Sequence, residues 1–362
     1  GLTWETATTT DVGADFGSLN GRLRFSGDYY IRKTTDMYTV GETLPDVFGA
    51  SSPKGNYADM TTRGWEITLT WRDQFQLANK PFNYEIRGTL SDYISTIDRY
   101  NNKDGKLSDY YAGQRVGEIW GYVTEGLFQS QEEIDNHADQ TLIQSSSQHV
   151  TYPGDVKIKD LNGDGVIDYG NNTLTDHGDK TIIGNSQPRF SYSLNLSGDW
   201  NNFFVSAFFQ GVGKQDWYPS SECIFWGQYT RPYNILPTWH LGNYWTEDNP
   251  DAYLPRYAGY NSSLKETTQT RYLQNVAYIR LKNLQFGYTL PQEIVAKAKM
   301  QNARIYISAE NLWCWSPLYK HTRDLDVTNI YGSDPDLTDG GSGDGQSYPQ
   351  MQSISLGVSV TF

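Results

Sequence analysis

The stretch Gln352–Phe362, QSISLGVSVTF, decides the fold class of this chain. It alternates strictly between apolar side chains on one face and small or polar side chains on the other, which is the period of a β-strand. The apolar face holds Ile354, Leu356, Val358, Val360 and Phe362. A strand with this pattern that ends the polypeptide on Phe is typical of a transmembrane β-barrel of the outer membrane. The alternative is the last strand of a soluble sandwich.

Further segments alternate in the same way and predict about nine antiparallel strands, the first starting near Asp11. They lie within residues 22–32, 64–72, 82–91, 190–197, 203–209, 277–290 and 304–310. Their polar faces contain Arg and Glu, which a packed soluble core would not bury unpaired but which a water-filled lumen accepts. The alternation changes phase near Lys282 and Asn283, which predicts a β-bulge there.

The connections between these segments are alternately short and long, as in outer-membrane barrels. Short connections are expected at Asn20-Gly21, Asp73–Pro81, Gly198–Asn202 and Pro291–Asn302, the last with a short helix over Gln292–Gln301. Long connections are expected at Lys33–Thr62, Thr96–Pro188, Val212–Leu273 and Trp313–Met351. The pattern predicts periplasmic turns, extracellular loops and a periplasmic C-terminus, with residues 1–10 in an outer loop.

Composition excludes some classes of protein and leaves others open. The 362 residues contain no run of about 18 apolar residues, so no transmembrane helix is predicted, although barrel strands would not produce such a run. The net charge of −13 argues against a nucleic-acid partner, which would need a basic surface. The two cysteines, Cys223 and Cys314, leave both one disulfide and two thiols open.

An acidic loop, DLNGDGVID at 160–168, is the strongest local motif. It matches the first nine positions of a calcium loop, in which side-chain oxygens at positions 1, 3, 5 and 9 and the carbonyl of position 7 bind one hard cation. The predicted ligands are Asp160, Asn162, Asp164, Val166 and Asp168. Position 12 is Asn171 instead of Glu, so we expect either weaker binding or completion by Asp176 or Asp179. The predicted ion is Ca²⁺ or Mg²⁺, and the alternative is an acidic turn without metal.

Aromatic side chains in the long connections are candidates for stacking on sugar rings or peptides. The candidates are Trp226, Tyr229, Trp239, Tyr244 and Trp245, joined by the lumen-facing charges Glu85 and Arg87. The alternative for most of the aromatic residues is packing between loops. No catalytic motif appears: the five histidines have no zinc-type spacing, and there is no nucleophile elbow or phosphate-binding loop, so we do not expect an enzyme.

Several segments resemble one family, the SusC/RagA-type TonB-dependent transporters of Bacteroidetes. They are Trp4–Met37, Glu118–Asp135, Gly154–Asp168, Lys180–Ser197, Ala303–Leu312 and the ending YPQMQSISLGVSVTF, in the family's order. The resemblance implies that residues 1–362 are the C-terminal part of a barrel of about 22 strands, without its N-terminal plug. Residues 95–188 would form a long extracellular insertion, longer between Asp168 and Lys180 than is common in the family.

The resemblance also implies a function and partners. A transporter of this kind lies in outer-membrane lipid, imports oligosaccharides or peptides, and works with a SusD-like surface lipoprotein, the plug, the remaining strands and TonB. The start at Gly1 and the odd strand number lead us to expect a longer protein. The competing hypothesis is a secreted, calcium-stabilised carbohydrate-binding β-protein, which would be soluble without detergent.

Overall fold

The computed structural model describes residues 2–41, 44, 47, 49, 51–143, 150–219, 223–229, 236–257, 267–330 and 350–362. Nine long strands dominate it: β1 (Thr6–Ser18), β2 (Leu23–Val40), β3 (Lys54–Leu77), β4 (Lys80–Arg99), β9 (Arg189–Trp200), β10 (Phe203–Lys214), β15 (Tyr278–Thr289), β16 (Asn302–Trp315) and β17 (Ser353–Thr361). Eight short strands lie in the connections: β5 (Glu118–Gly121), β6 (Thr124–Leu127), β7 (Val156–Ile158), β8 (Thr181–Asn185), β11 (Asp216–Trp217), β12 (Tyr244–Trp245), β13 (Leu254–Arg256) and β14 (Gln274–Asn275). Two short helices are α1 (Gln131–Asp135) and α2 (Gln292–Val295).

The nine long strands form one antiparallel sheet in the order β1-β2-β3-β4-β9-β10-β15-β16-β17. The register aligns one apolar row across eight of these strands: Leu23, Trp71, Ile86, Leu196, Ala207, Leu284, Ala309 and Ile354. The adjacent row is polar: Arg72, Glu85, Ser197, Ser206, Gln285, Ser308 and Ser355. The two faces of the sheet therefore differ in chemistry along its width, and the predicted all-β antiparallel fold class is confirmed.

Two of the short connections turn the chain in two residues with a left-handed backbone, whereas the predicted two-residue turn at Asn20-Gly21 is a longer link between Ser18 and Leu23. Ala78 and Asn79 have φ of 48° and 61°, and Asn201 and Asn202 have φ of 49° and 71°. Positive φ at both central residues is the signature of the type I′ turn, which matches the twist of a hairpin. The predicted link Asp73–Pro81 was therefore too long, because β3 and β4 continue to the turn itself.

Other predicted boundaries also change. The expected long link Lys33–Thr62 shortens to residues 41–53, and β1 begins at Thr6 instead of near Asp11. The helix expected over Gln292–Gln301 is shorter, with α2 followed by a 3-10 turn at Ala296–Ala298. The predicted bulge is confirmed, because the register of β15 against β16 shifts between Leu281 and Asn283.

The described residues of the three long connections, within 100–188, 215–277 and 316–352, pack on one another, and we call them the loop unit. Among the described residues, the largest fully buried side chains all belong to this unit and none to the nine long strands: Trp217, Trp226, Tyr229, Tyr272, Phe128, Phe225, Ile158, Ile167, Leu254, Leu318 and His240. The hydrophobic core of the chain thus lies in its loops. Cys223 and Cys314 are both thiols, so the disulfide that the sequence left open is not formed.

In the described parts of the chain, no helix combines the length and the apolar character needed to cross a membrane.

Candidate functional site

One face of the nine-stranded sheet exposes its apolar side chains. On β17 the exposed fractions are 73% for Ile354, 75% for Leu356 and 65% for Val358, and on β16 Ile307 is 51% exposed. Soluble monomers rarely expose contiguous apolar patches larger than a few hundred Å². Because the exposed residues come from strands along the whole sheet, this face requires an apolar environment.

The opposite face carries the predicted lumenal charges Glu85 and Arg87, both on β4. Glu85 forms an ion pair with Arg72 on β3. Arg87 is exposed and lies in register with Thr70 and Asn195. The structure therefore places both charges on the polar face, where water can solvate them, and whether they contact substrate stays a prediction.

Aromatic rings collect at the ends of the long strands near the short turns. Phe75 and Phe82 have ring centroids 5.0 Å apart, and Phe203 and Tyr288 have centroids 4.7 Å apart. The indole N–H of Trp71 donates to the Tyr84 hydroxyl at 3.1 Å. Rings with one apolar and one polar end suit the boundary between lipid and water.

The aromatic candidates of the loop unit divide into two groups. Trp226 and Tyr229 have 0% and 1% exposure, so they present no ring face to a ligand. Trp226 Nε1 donates to the Pro219 carbonyl at 3.2 Å and the Tyr229 hydroxyl to the Pro255 carbonyl at 2.8 Å. For these two residues the expectation of substrate contact is corrected to packing between loops, since each satisfies its polar atom inside the core.

The other three aromatic candidates, Trp239, Tyr244 and Trp245, are only half-buried. Trp245 Nε1 donates to Gln129 Oε1 at 3.0 Å, which fixes the indole at the edge of the loop unit. Their partial exposure leaves ring surface for a ligand, so the substrate role remains a prediction for them.

Two histidines are held neutral by the loop core. His240 is fully buried, its Nε2 lies 2.9 Å from the Phe225 carbonyl, and burial lowers its pKa to about 4. Burial also lowers the pKa of His321 to about 4, with Lys320 adding charge repulsion. Neither ring carries charge near neutral pH, which removes both from consideration as acid–base groups at that pH.

The acidic loop is formed by its own backbone hydrogen bonds. Asp160 accepts from the N–H groups of Gly163 at 2.6 Å and Gly165 at 2.9 Å, and these bonds hold the pKa of Asp160 below its usual range. Asn162 Oδ1 accepts from Asp164 N and Asp164 Oδ1 from Val166 N, both at 2.9 Å. The oxygens of positions 1, 3 and 5 are therefore gathered on one turn.

Two predicted ligands remain, the Val166 carbonyl and the Asp168 side chain, and the hydrogen bonds of the latter lie on the next turn. Asp168 Oδ1 accepts from Gly170 N at 2.8 Å, away from the first turn. Asp179 is fully buried and accepts from the N–H groups of Leu161 at 2.7 Å and Asp168 at 3.0 Å. These two hydrogen bonds link the beginning and the end of the acidic loop. Within the described residues, no group of three or more His, Cys, Asp or Glu side chains could hold a metal ion. Positions 1, 3, 5 and 9 fit a hard cation in donor type, and metal binding by this loop stays a prediction.

Comparisons with known proteins indicate the class of protein that this chain resembles. No protein-family model matches the chain. A "TonB-dependent receptor P3" of Formosa agariphila is 26% identical over the whole chain and 34% of its own length. The "TonB-dependent receptor SusC" of Bacteroides thetaiotaomicron is 22% identical over the whole chain and 32% of its own length. The structure titled "RagAB peptide transporter" matches the whole chain and 35% of its own chain with a TM-score of 0.71 at 19% identity, which shows the fold alone.

The sheet is therefore a segment of the barrel fold of TonB-dependent transporters. Within that class, the predicted resemblance to the SusC/RagA type is confirmed over the whole length of the chain. The chain spans about a third of the length of the curated relatives it matches.

Proposed function

We propose that this chain forms part of the barrel wall and the extracellular loops of an outer-membrane importer driven by TonB. The observation that supports this most directly is the exposed apolar face of the sheet opposite a polar face with Arg and Glu. Lipid covers the first face and water fills the lumen on the second. A soluble carbohydrate-binding protein would instead expose its apolar face to water.

The partners follow from the parts of a transporter that this chain does not contain. The edges of the sheet, β1 and β17, pair with the remaining strands of the barrel, because open edges in lipid would leave backbone groups unsatisfied. The plug and the TonB contact belong to the N-terminal part of the full-length protein. A SusD-like lipoprotein covers the loop unit on the extracellular side, and the C-terminus is periplasmic.

The cargo is an oligosaccharide or a peptide. A peptide cargo is supported by the fold match to a structure described as a peptide transporter. A glycan cargo is supported by the half-buried rings of Trp239, Tyr244 and Trp245 at the edge of the loop unit. In this mechanism the loops capture the substrate, and Glu85 and Arg87 contact it in the lumen.

We also propose that the acidic loop binds Ca²⁺ with modest affinity. Asp160, Asn162 and Asp164 would hold the ion with the Val166 carbonyl, and each carboxylate oxygen that accepts one N–H retains acceptor capacity. Asp168, whose Oδ1 accepts from Gly170 N, would join through its remaining acceptor capacity. The bound ion would stiffen residues 160–168, and Mg²⁺ is the alternative ion.

The test is purification of the full-length protein from outer membranes in mild detergent, with mass spectrometry of all co-purifying polypeptides. We expect a surface lipoprotein to co-purify, and we expect uptake of its labelled cargo to stop when the gene for this protein is deleted. Recovery of a monodisperse soluble protein without detergent would contradict the proposal and favour the secreted carbohydrate-binding alternative.

A further inference from the structure

A small cavity in the loop unit lies beside the acidic loop and is separate from it. Its volume is about 220 Å³, and Trp120, Tyr122, Tyr169, Lys180 and Thr268 line it. At ~30 Å³ per molecule this is the space of about seven waters, which suits one sugar ring and not an extended chain. Tyr169 is 51% exposed, so the opening offers an aromatic surface to solvent.

The floor of this cavity is fixed by backbone contacts. Tyr122 N donates to the Thr268 carbonyl at 2.9 Å, and Thr270 N donates to the Tyr122 carbonyl at 3.0 Å. Gly121 permits this approach, because a Cβ there would lie 2.6 Å from the Thr268 carbonyl oxygen. A cavity whose walls are held in this way needs little ordering when a ligand binds.

The cavity holds one positive charge. The Lys180 ammonium donates to Asn172 Oδ1 at 3.1 Å and lies 5.5 Å from the ring centroid of Tyr169 and 6.0 Å from that of Tyr122. Within the described part of the chain it forms no ion pair. The neighbouring Asp179 is committed to backbone N–H groups of the acidic loop.

Burial without a counter-charge has a cost that a ligand can offset. Lys180 is half-buried, so its ammonium group is partly removed from water. The chain as a whole has a net charge of −13 and repels anions in general, so an attraction here has to be local. An anionic group seated against Lys180 would supply the missing ion pair and a charge-assisted hydrogen bond.

We propose that this cavity binds one hexuronate unit of an acidic polysaccharide, with its carboxylate on Lys180. The sugar ring stacks on Tyr169, and its hydroxyl groups face Thr268. Aromatic surface and a single cation in a cavity of this size suit a charged sugar better than an acidic peptide, whose carboxylate side chain has no ring to stack. The inference rests on the proposed function for its meaning, because it names a cargo class for that importer.

Binding can be measured separately from uptake. The full-length protein in detergent is titrated with glucuronate, galacturonate and their short oligomers, with neutral glucose and galactose, and with a glutamate-rich peptide, by calorimetry. The variants are Lys180→Met, Lys180→Arg, Tyr169→Ala and Tyr169→Phe. The matched control is Lys297→Met, at an exposed lysine in the turn after α2.

We expect an acidic sugar to bind at least tenfold more tightly than its neutral counterpart. Lys180→Met should weaken uronate binding roughly tenfold or more. Lys180→Arg, Tyr169→Phe and Lys297→Met should retain binding, whereas Tyr169→Ala should weaken it several-fold. Circular dichroism of each variant distinguishes lost binding from lost fold, and Lys180→Arg reports on the charge if Lys180→Met fails to fold.

The inference would be overturned by no uronate binding, by equal binding of neutral and acidic sugars, or by full uronate binding by Lys180→Met. Preference for the glutamate-rich peptide over uronates would also overturn it. Uronate binding without any dependence of uptake on this protein would instead contradict the proposed function and leave the binding site in place.

Discussion

Replacing Leu356 with Arg tests which face of the sheet meets lipid. Leu356 is the fourth residue of the nine-residue strand β17, it is 75% exposed, and its register partner Ile307 is also exposed. In a membrane its side chain would lie near the middle of the apolar band. An Arg on the lipid face near the bilayer midplane costs about 2–4 kcal/mol.

The neighbouring residue supplies the matched control. Ser355 lies on the polar face in register with Ser308, so Arg at 355 would reach the lumen and be solvated. We therefore expect Ser355→Arg to change the free energy of unfolding by less than about 1 kcal/mol, since surface substitutions of this kind are usually within ±0.5 kcal/mol. The difference between the two variants is then about 1–4 kcal/mol, which corresponds to a change of roughly 5- to 700-fold in the folding equilibrium.

The assay is denaturant titration of the full-length protein and both variants refolded into lipid vesicles, followed by tryptophan fluorescence. The reasoning would be refuted if Ser355→Arg were as destabilising as Leu356→Arg. It would also be refuted if neither substitution had an effect, because a Leu that already faces water loses nothing when it becomes Arg. Leu356→Ile, which keeps the apolar surface, should behave as the unmodified protein.

Three further predictions concern the loop unit. Trp226→Ala should destabilise it by about 3–5 kcal/mol in denaturant titrations because the indole is fully buried, whereas a residue that only contacted substrate would leave stability unchanged. The folded-state pKa of His240 is about 4, below its ordinary 6.5, so its stabilising contribution is complete above pH 6.5 and is lost as the pH falls towards 4. We expect near-ultraviolet circular dichroism to show acid unfolding of the loop unit in that range, with less acid sensitivity in His240→Gln; an unchanged acid midpoint would exclude this role. Ca²⁺ should raise the melting temperature of the full-length protein, Asp164→Ala should abolish the rise because it removes the ligand oxygens, and Asp135→Ala on α1 should preserve it; a Ca²⁺ effect that survives Asp164→Ala would locate the ion elsewhere.

The alternation of side chains was sufficient to predict the two faces of the long strands. Gln352–Phe362 and Phe82–Ser91 follow a period of two because one face of the sheet is apolar and the other is polar, so every second residue is constrained. The bulge near Asn283 was predictable for the same reason, since an extra residue reverses the phase. The ends of β2 and β3 were not, because the register between them shifts between Thr34 and Met37 and again between Met37 and Tyr38, which interrupts the alternation.

The burial of the candidate site residues could not be predicted from the sequence. Trp226 and Trp245 are equivalent in sequence terms, as both are tryptophans in one long polar connection, yet one is fully buried and the other is half-buried. The difference arises from partners distant in sequence, such as Tyr272, whose ring centroid lies 5.4 Å from that of Trp226. For Asp168 the partner that the motif did not predict is close in sequence. The N–H of Gly170 donates to the carboxylate that the motif assigns to a cation.

The position of the hydrophobic core explains why the loop unit is so rich in aromatic residues. A barrel wall places its apolar side chains towards lipid and its polar side chains towards water, so it cannot supply a packed interior of its own. Long loops that must keep a defined shape above the wall therefore need a separate core, which Trp217, Phe225, Trp226 and Tyr272 provide. Aromatic residues suit this task because each buries a large apolar area while its polar atom can reach a backbone carbonyl. It follows that aromatic content in such loops is first a measure of their rigidity, and that only rings left partly exposed, such as Tyr169 and Trp245, are candidates for ligand contact.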